Sequence, residues 1–429
     1  MTEHPHRNAA PLAVLVCEAL PRSGENGPGS YNMTILRAIA ALGYRLHLVV
    51  TGLNVAGTVV APEVPCTVSY LHARQVGRWL LPLSVGAAAR WVKNRLGLKG
   101  RKTATDKVAW IGRFLSEPEL ARIPTGLPAE PVAVLLVDTI FRADAVRAIP
   151  QARTKVLIAH DVFHLRCASF RANGFMPRPA IVPEQEAARA RLFDAIIAIN
   201  PHDATELAAL APAARVSTVL PVVANAGRVP GPQAGHERQP HRIFYLGSRA
   251  YHNVDGLRWF LEHVWPVVRA NVPDAHLDVA GAVCGEFAGA GPGVTLHGRV
   301  DDLSSVTRYC SFAVNPVLMG SGIKIKMVDY FCVGLGCITT ANGAAGFPEQ
   351  PAPPFDVAEG KADFASAVVR TMQQPDHAAL LRERTIAYTP HFSAEAAVAR
   401  LRELLLSGGG VALAAAGSAP ADALVQPSI

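Results

Sequence analysis

The chain has 429 residues, half of them hydrophobic and 17% charged, which is enough apolar material for two or three folded domains and excludes a largely disordered protein. A net charge of +7 favours anionic partners such as nucleotides, phosphates or an acidic lipid surface. Because the basic residues do not interleave with aromatic residues along one stretch, we do not expect nucleic acid as a partner.

The seven cysteines are scattered, odd in number and lack a C-x-x-C pair, so a reducing cytoplasm is the expected compartment. The opening "NAAPLAVLVCEALPRSG" resembles a signal peptide, but its apolar core is about eight residues and is followed at once by Glu18. We interpret it as a first buried strand. No apolar run approaches the roughly 18 residues of a membrane span.

Short apolar runs alternate with amphipathic stretches, which is typical of a parallel sheet covered by helices. In the first half the predicted strands are 12–19, 45–52, 132–138, 155–161 and 194–200. The polar, Pro- and Gly-rich segment 229–241 predicts a linker, after which the alternation restarts. The later predicted strands are 242–248, 275–282, 294–300, 311–317 and 336–341, with a helix over about 253–270.

This pattern predicts two α/β domains, residues 1–228 and 242–385. A helix over 386–406 that would return to the first domain and a flexible tail over 407–429 complete the predicted organisation. In such open sheets, ligands bind at the carboxyl ends of the strands.

The stretch "NPVLMGSGIKIKMVDYF" (315–331) combines an extended run, a Gly-Ser-Gly bend, two lysines and Asp329. A helix that starts close to Ile323 would direct free backbone N–H groups and its dipole toward an anion, and Lys324 and Lys326 would add positive charge. A glycine-capped helix with solvated lysines is the alternative reading of the same residues.

The longer segment "NPVLMGSGIKIKMVDYFCVGLGCITTANGAAGF" resembles the donor-binding signature of GT-B glycosyltransferases of the family 4 type, the glycosyl transferases group 1. "IFYLGSRAYHNVDGLRWFLEHVWPVVRANVPDAHLDVAG" is similar to the opening of the same domain, and "FDAIIAINPHDATEL" to a late part of the N-terminal domain. The resemblance implies two Rossmann-like domains facing each other across a cleft.

The resemblance also implies a nucleotide-sugar donor in the C-terminal domain, with its diphosphate near Gly322, Ile323 and Lys324. Asp329 would hold the ribose in place of the family's Glu, and Ser321 stands where many relatives have a Glu that touches the donor sugar. The donor residues expected in this way are Gly247, Ser248, Arg249, Arg299, Gly320, Gly322, Ile323, Lys324, Lys326 and Asp329.

A second glycine turn, "YLGSRAYHN", follows the first strand of this domain. Many relatives have an Arg directly after the glycine and a Lys a few residues later, whereas this chain has Ser248 and Asn253. We therefore expect Arg249, Lys324 and Lys326 to supply the charge for the diphosphate. A plain strand-to-helix turn is the alternative.

His160 and Asp161 end a predicted strand in "AHDVFHLR". The family places a histidine near here that faces the donor sugar, and His160 is our candidate, with Asp161 and Ser321 as further catalytic candidates. His160 and His164 are also spaced i, i+4, but with no third ligand in reach a metal is not expected. A structural histidine is the alternative.

Two further segments are candidates for substrate or surface contacts. Gly27 and Gly29, in "SGENGPGSYN", match a glycine loop that such enzymes place near the acceptor or the donor phosphate. The segment 90–107 has seven Lys or Arg residues and one acidic residue, and predicts contact with an anionic membrane. A solvated insertion is the alternative for that segment.

We thus expect a cytoplasmic GT-B glycosyltransferase. The resemblance implies a hexosyltransferase that moves a sugar from a UDP- or GDP-sugar to a glycan or lipid-linked hydroxyl with retention. We expect no cofactor, no metal, and a role in bacterial cell-envelope polysaccharide or glycoconjugate synthesis. A non-catalytic nucleotide- or sugar-binding partner and a nucleotide-sugar epimerase are the alternatives. The epimerase would need paired carboxylates in the cleft that the sequence does not reveal.

Overall fold

The computed structural model describes residues 10–23, 27–53, 57–95, 108–222, 238–287, 289, 291–320 and 322–407. Within these ranges the chain forms two α/β domains, each built on a parallel sheet. The chain passes from the first sheet to the second once, and its last helix packs on the first domain again. Among the described residues, no helix is both long and apolar enough to cross a membrane.

The strands of the first domain are β1 (Leu12–Cys17), β2 (Arg45–Val50), β3 (Cys66–Tyr70), β4 (Ala73–Val76), β5 (Trp79–Pro82), β6 (Val108–Trp110), β7 (Val132–Asp138), β8 (Thr154–Ala159), β9 (Met176–Arg178), β10 (Ala195–Ala198) and β11 (Arg215–Thr218). Its helices are α1 (Gly27–Ala41), α2 (Val85–Arg95), α3 (Glu117–Arg122), α4 (Ala145–Ala148), α5 (Phe163–Ala172), α6 (Pro183–Ala190) and α7 (Pro201–Leu210).

The strands of the second domain are β12 (Gln239–Leu246), β13 (His276–Ala280), β14 (Val294–Gly298), β15 (Cys310–Asn315), β16 (Cys337–Thr339) and β17 (Phe355–Val357). The helices that follow β12 are α8 (Tyr251–Trp259), α9 (Trp265–Asn271), α10 (Ser304–Thr307), α11 (Ile325–Cys332), α12 (Ala341–Ala344), α13 (Gly360–Gln373), α14 (Pro375–Tyr388) and α15 (Ala394–Leu406). A π-helical turn over Phe260–Val264 joins α8 to α9.

The first sheet has the order β11-β10-β8-β7-β1-β2-β3, and the second has the order β14-β13-β12-β15-β16-β17. Strand β1 explains why these strands are continuous apolar runs: all six of its residues are buried. Leu15 packs with α1 on one face of the sheet, while Val14 and Val16 belong to the core on the other face. The predicted fold of two doubly wound domains is confirmed.

Each sheet has one place where the chain changes its winding direction. In the first sheet it lies between β1 and β7, and in the second between β12 and β15. The crevice at the carboxyl ends of such strands is the usual ligand site of open α/β sheets. The segments that follow β12 and β15 contain the two glycine turns singled out in the sequence.

Three predicted boundaries differ from the structure. Residues 239–241, assigned to the linker, begin β12, while residues 223–237 lie outside the described ranges. The helix predicted over 386–406 is two helices: α14 ends at Tyr388 and α15 begins at Ala394 after a 3₁₀ turn. Gly27 and Gly29 lie in the first turn of α1, so they belong to a helix rather than to a free loop. The predicted tail beyond residue 407 is outside the described residues.

Helix α15 packs on helix α1 of the first domain. Its buried side chains Leu401, Leu404 and Leu405 share a core with α1 of the first domain. Burying a leucine side chain contributes about 1.5–3 kcal/mol relative to leaving it exposed. The C-terminal helix therefore stabilises the first domain, although it follows the second in the sequence.

Candidate functional site

The glycine turn after β15 has the backbone conformation that glycine allows. Gly320 has φ +109° and Gly322 has φ +71°, both in the left-handed range. Helix α11 then starts at Ile325, two residues later than the predicted start near Ile323, and the Ile323 side chain lies in the core. Ser321, a catalytic candidate, lies outside the described residues. The turn therefore presents main chain, not the Ile323 side chain, to the cleft.

Lys324 is a buried cation just before helix α11. Its side chain is 7% exposed, and its Nζ donates a hydrogen bond to the Gly322 carbonyl at 2.7 Å. Burial lowers the pKa of Lys324 to about 8, although the nearby Asp161 and Asp203 favour its charged form. Both carboxylates belong to the first domain, so the ammonium of Lys324 lies where the two domains meet.

Lys326 is held by a polar network beneath the second glycine turn. Its Nζ donates to Asn253 Oδ1 at 2.9 Å and lies 3.3 Å from the Tyr245 hydroxyl. Asn253 in turn donates from its Nδ2 to Ser248 Oγ at 3.0 Å. Burial lowers the pKa of Lys326 to about 7. The ammonium of Lys326 therefore lies beside Asn253, where the family pattern has a lysine.

The remaining residues expected around the donor are placed differently. Gly247 packs tightly, because a Cβ there would lie 2.9 Å from the Tyr245 ring. Arg249 is paired with Glu286 at 2.7 Å, and its side chain is 57% exposed. Arg299 is exposed and follows β14. Strands β13 and β12 lie between β14 and β15, so β14 is roughly 14 Å from β15 along the sheet edge. The structure therefore brings Lys324 and Lys326 together at the crevice but leaves Arg249 and Arg299 outside that group.

Asp329 lies on α11, about one turn beyond Lys326. Its side chain is partly exposed to solvent. Desolvation raises the pKa of Asp329 to about 7. The ionised Asp329 carboxylate can accept hydrogen bonds from hydroxyl groups. Such bonds would favour the charged form of the group, which desolvation disfavours.

His160 faces a carboxylate of its own domain. Its Nε2 lies 2.7 Å from Asp138 Oδ1 and 3.1 Å from Asn32 Oδ1, and its ring meets the Tyr31 ring edge-on at 5.2 Å. Burial alone would raise the pKa of Asp138, but His160 and Arg142 outweigh it and hold the pKa at about 2. The Asp138 carboxylate therefore fixes the orientation of the imidazole at the end of β8.

His164 does not join His160 in a metal site. Its Nδ1 lies 2.8 Å from Glu186 Oε2, and the same carboxylate accepts the backbone N–H groups of Phe163 and His164. His160 precedes helix α5, so the i, i+4 spacing does not place both rings on one helical face. Within the described ranges, no group of three or more potential metal ligands is assembled.

The first domain contacts the Gly320–Gly322 turn, called the donor turn below because the donor site is predicted there, directly through Asp161 and helix α5. Asp161 forms an ion pair with Arg166, and a Cβ placed on Gly322 would lie 2.8 Å from Asp161 Oδ1. The Ser169 hydroxyl accepts a hydrogen bond from the Gly320 N–H at 3.0 Å. The donor turn is therefore enclosed between both domains, and one of its N–H groups is already engaged by a side chain.

Two other contacts close the cleft. A Cβ on Gly27 would lie 3.5 Å from Ile325 Cδ1, so the start of α1 touches the start of α11. A Cβ on Gly346 would lie 2.8 Å from the Asn200 side chain at the end of β10. Near it, Asp203 Oδ2 and Asn200 Nδ2 are buried without a hydrogen-bond partner in the part of the chain that the structure describes. Burial and the nearby Asp161 raise the pKa of Asp203 to about 7.

The crevice of the first sheet contains a buried arginine. The side chain of Arg142 is 4% exposed; its Nη2 donates to Glu18 Oε2 at 2.5 Å and its Nη1 to Thr139 Oγ1 at 3.0 Å. Thr139 has φ +63°, a conformation that a β-branched residue rarely adopts. The Arg142 contact and a backbone bond from the Thr139 N–H to Ile158 hold this strained residue at the end of β7.

Several residues of this cleft were not predicted from the sequence. Asp138 ends a strand as His160 does, so the same strand-end signal could have identified it. Ser169 lies inside helix α5 and has no local motif, and Asp203 lies at the start of α7, within the quoted segment "FDAIIAINPHDATEL". The place of both residues in the cleft follows only from the tertiary fold. The basic segment 90–107 is described only to residue 95, as the end of helix α2; the remainder lies outside the described residues.

The comparisons with known proteins agree with this geometry. Residues 240–374 match the family model described as "Glycosyl transferases group 1". The C-terminal domain thus resembles that of the group 1 glycosyltransferases. This match covers both glycine turns, Lys324, Lys326 and Asp329, so the resemblance stated from the sequence is confirmed for the domain that contains them. No curated protein sequence matches the chain.

Solved structures extend the likeness over both domains and confirm the GT-B fold. The Anabaena protein HepE, in complex with UDP and glucose, has a TM-score of 0.58 and 11% identity over 92% of this chain and 100% of its own. Sucrose-phosphate synthase from Thermosynechococcus elongatus has a TM-score of 0.61 and 12% identity over 92% and 98%. A UDP-forming trehalose-phosphate synthase from Burkholderia xenovorans has 0.60 and 12% over 94% and 100%.

Proposed function

We propose that this glycosyltransferase transfers a hexose from a UDP- or GDP-sugar to an acceptor hydroxyl, with retention at the anomeric carbon. The observation that carries the proposal is the position of Lys324 and Lys326 beside the Gly320–Gly322 turn, at the crevice between β12 and β15. Two cations and the amino terminus of α11 converge there, which suits a diphosphate. Because HepE was solved with UDP and glucose, a UDP-sugar is the first donor to test.

In this proposal the leaving diphosphate is neutralised by the protein itself. Lys324, Lys326 and backbone N–H groups would stabilise the negative charge that develops when the glycosidic bond to the phosphate breaks, so a metal ion is not required. His160, fixed by Asp138, would orient the donor sugar from the opposite wall of the cleft. We assign no carboxylate as a nucleophile. The acceptor would therefore attack from the face that the leaving diphosphate departs from, without a covalent intermediate.

The acceptor would occupy the crevice of the first sheet, near Glu18, Arg142 and Thr139. A strained residue beside a buried arginine at a strand end is typical of a functional site. We propose a glycan or a lipid-linked acceptor in bacterial cell-envelope polysaccharide synthesis, with the enzyme in the cytoplasm at the inner face of the membrane.

The segment 90–107 would then contact anionic lipid, and replacing Arg101, Lys102 and Lys107 by Gln should weaken vesicle binding by about 1 kcal/mol per charge.

A panel of UDP, GDP, ADP and TDP sugars tests the donor proposal. Purified protein should show a thermal shift with one nucleotide class, because a ligand that binds only the folded state stabilises it in proportion to RT ln(1 + [L]/Kd). The same donor should then be hydrolysed slowly, or be transferred to an added acceptor. Binding of none of the nucleotides at millimolar concentration would overturn the proposal.

A non-catalytic nucleotide-binding partner is the second candidate, because parts of the expected donor site are already engaged. The Gly320 N–H is bonded to Ser169, and Arg249 is paired with Glu286. Nucleotide binding without hydrolysis or transfer across the panel would favour this candidate. Turnover that is lost in Lys326→Met, with folding intact, would favour the enzyme.

A further inference from the structure

The β4–β5 hairpin extends the first domain at the rim of the cleft. It begins after β3, the edge strand of the sheet, and the Leu83 N–H bonds to the His72 carbonyl at 2.8 Å where the hairpin returns. Gly77, with φ +57°, turns the chain at the tip. Because the carboxyl ends of parallel strands lie at one edge of a sheet, the hairpin starts from the edge that faces the cleft.

One face of the hairpin is apolar and exposed. Cross-strand pairing places Val76 opposite Trp79 and Arg74 opposite Leu81, so these four side chains point to the same side. The intervening Leu80 points the other way and is 4% exposed, in a small core with Ala73 and Ala87. The exposed apolar side chains are Val76 at 52%, Trp79 at 47%, Leu81 at 51%, Leu83 at 57% and Val85 at 88%. A sheet face in water normally carries polar residues, so this face needs an apolar partner.

The charge around the hairpin indicates which partner. Between Val64 and Arg95 the sequence has five Lys or Arg residues and no Asp or Glu. Arg74, Arg78 and Lys93 are exposed, and the Arg78 guanidinium lies 5.5 Å from the centre of the Trp79 ring. Pairing of two copies through this face would bring cations against cations with no carboxylate to offset them. The apolar face and the cations around it are complemented by a partner with an apolar interior and an anionic surface.

We propose that the outer face of the β4–β5 hairpin inserts into the interfacial layer of an anionic lipid bilayer. Trp79, Leu81 and Leu83 enter the boundary between headgroups and acyl chains, while Arg74 and Arg78 remain at the level of the lipid phosphates. This places the cleft rim at the membrane surface, where the reacting headgroup of a lipid-linked acceptor would lie. The hairpin precedes the basic segment 90–107, which contributes three of the five cations counted above, and its binding depends neither on the donor nor on transfer.

Sedimentation of the full chain with vesicles tests the hairpin. We expect binding to vesicles with 30% phosphatidylglycerol, weaker binding to pure phosphatidylcholine, and at least a tenfold loss of affinity in Trp79→Ser/Leu81→Ser. The matched control is Leu380→Ser/Ile386→Ser, which removes two apolar side chains of 43% and 56% exposure from α14 of the other domain and should bind as the wild type does. Arg74→Gln/Arg78→Gln should lose about fivefold per charge, on anionic vesicles only.

Depth of insertion gives a second measurement. Brominated lipids should quench wild-type tryptophan fluorescence, and Trp79→Phe should bind vesicles with much of that quenching lost. Absence of binding to anionic vesicles, or equal binding by Trp79→Ser/Leu81→Ser, overturns the proposal. If the wild type self-associates, does not bind vesicles, and loses the self-association in Trp79→Ser/Leu81→Ser, the membrane proposal is overturned. The hairpin face would then bind a second copy of this chain. UDP binding, measured without vesicles, reports separately on the proposed donor site.

Discussion

The hydroxyl of Ser169, on helix α5 of the first domain, accepts a hydrogen bond from the backbone N–H of Gly320 in the second domain at 3.0 Å. Around this bond, Met319 is buried with Phe170, and Phe175 meets the Tyr251 ring at 5.9 Å. Side chains of the first domain thus hold the donor turn from outside. A diphosphate that used the Gly320 N–H would have to displace the serine.

Ser169→Ala tests this competition. The variant leaves the Gly320 N–H free, and because a neutral hydrogen bond contributes about 0.5–1.5 kcal/mol, UDP should bind about twofold to tenfold more tightly. Ser169→Thr, which keeps the hydroxyl, is the control and should bind as the wild type does. Calorimetric titration with UDP measures both. Weaker binding by Ser169→Ala would show that the hydroxyl supports the bound state instead.

Gly322 and Gly320 form a matched pair for testing the contact between domains. Both have positive φ, a conformation that side-chain-bearing residues rarely adopt, so alanine strains the backbone at either position. At Gly322 the new Cβ would also lie 2.8 Å from Asp161 Oδ1, whereas at Gly320 no described atom lies within 4 Å. Gly322→Ala should therefore lower the melting temperature more than Gly320→Ala does, by about 2–4 °C for each additional kcal/mol.

The second step of that test is a double variant. Adding Asp161→Ala to Gly322→Ala removes the crowded carboxylate and should recover part of the lost stability, since only contacting residues show such coupling. Equal melting temperatures for the two single alanine variants would mean that Asp161 does not pack against the turn in solution.

The sequence predicted most strands of the two sheets because they are uninterrupted apolar runs, as "VAVLLVD" of β7 shows. It did not predict short edge elements such as β4 and β5, whose exposed apolar face breaks the usual alternation. At the site, strand ends and glycine turns identified Gly322, Lys324 and His160. Partners that come from elsewhere in the chain, such as Ser169 and Asp203, required the packing of helices on the sheet. Local patterns do not encode that packing.

Lys324→Glu is expected to weaken nucleotide binding by at least tenfold, on the order of 1.4 kcal/mol, because it replaces a cation beside the donor turn with an anion. The new carboxylate would also approach Asp161 and Asp203, so folding must be checked by circular dichroism. Lys324→Gln, which removes the charge without reversing it, should have a smaller effect on both binding and stability. Unchanged affinity of a folded Lys324→Glu protein for UDP and GDP would refute the diphosphate assignment.

The pH dependence of nucleotide binding should show an alkaline limb. In the free protein the pKa of Lys324 is about 8 and that of Lys326 about 7, both lowered by burial. A bound diphosphate favours the charged lysines and raises both values, so binding takes up protons and affinity falls as pH rises above about 7 to 8. Calorimetry in buffers of different ionisation enthalpy measures this uptake. Proton release on binding at pH 8 would contradict it.

Asp329→Asn is expected to separate ligand binding from folding, because the two should change in opposite directions. Burial raises the pKa of Asp329 to about 7, so the folded state holds a carboxylate with no counter-charge among the described residues at pH 8 and a neutral acid at pH 5. Asparagine removes that charge and should raise the melting temperature more at pH 8 than at pH 5, because the cost of the raised pKa grows as pH rises from the unfolded value of 3.8 to about 7. If the carboxylate accepts the ribose hydroxyls, the same change should cost roughly 1–3 kcal/mol of donor binding at pH 8.

Asp329→Glu is the matched variant, since it restores the residue usual in the family and keeps the charge. It should bind the donor as well as the wild type or better. Both carboxylate forms should lose affinity as pH falls and the group becomes protonated, which for Asp329 begins below about 7. Asp329→Asn should lack this acid limb. An unchanged donor dissociation constant in Asp329→Asn would exclude the ribose role, and loss of turnover in a folded Asp329→Glu protein would mean that the pocket fits a different ligand.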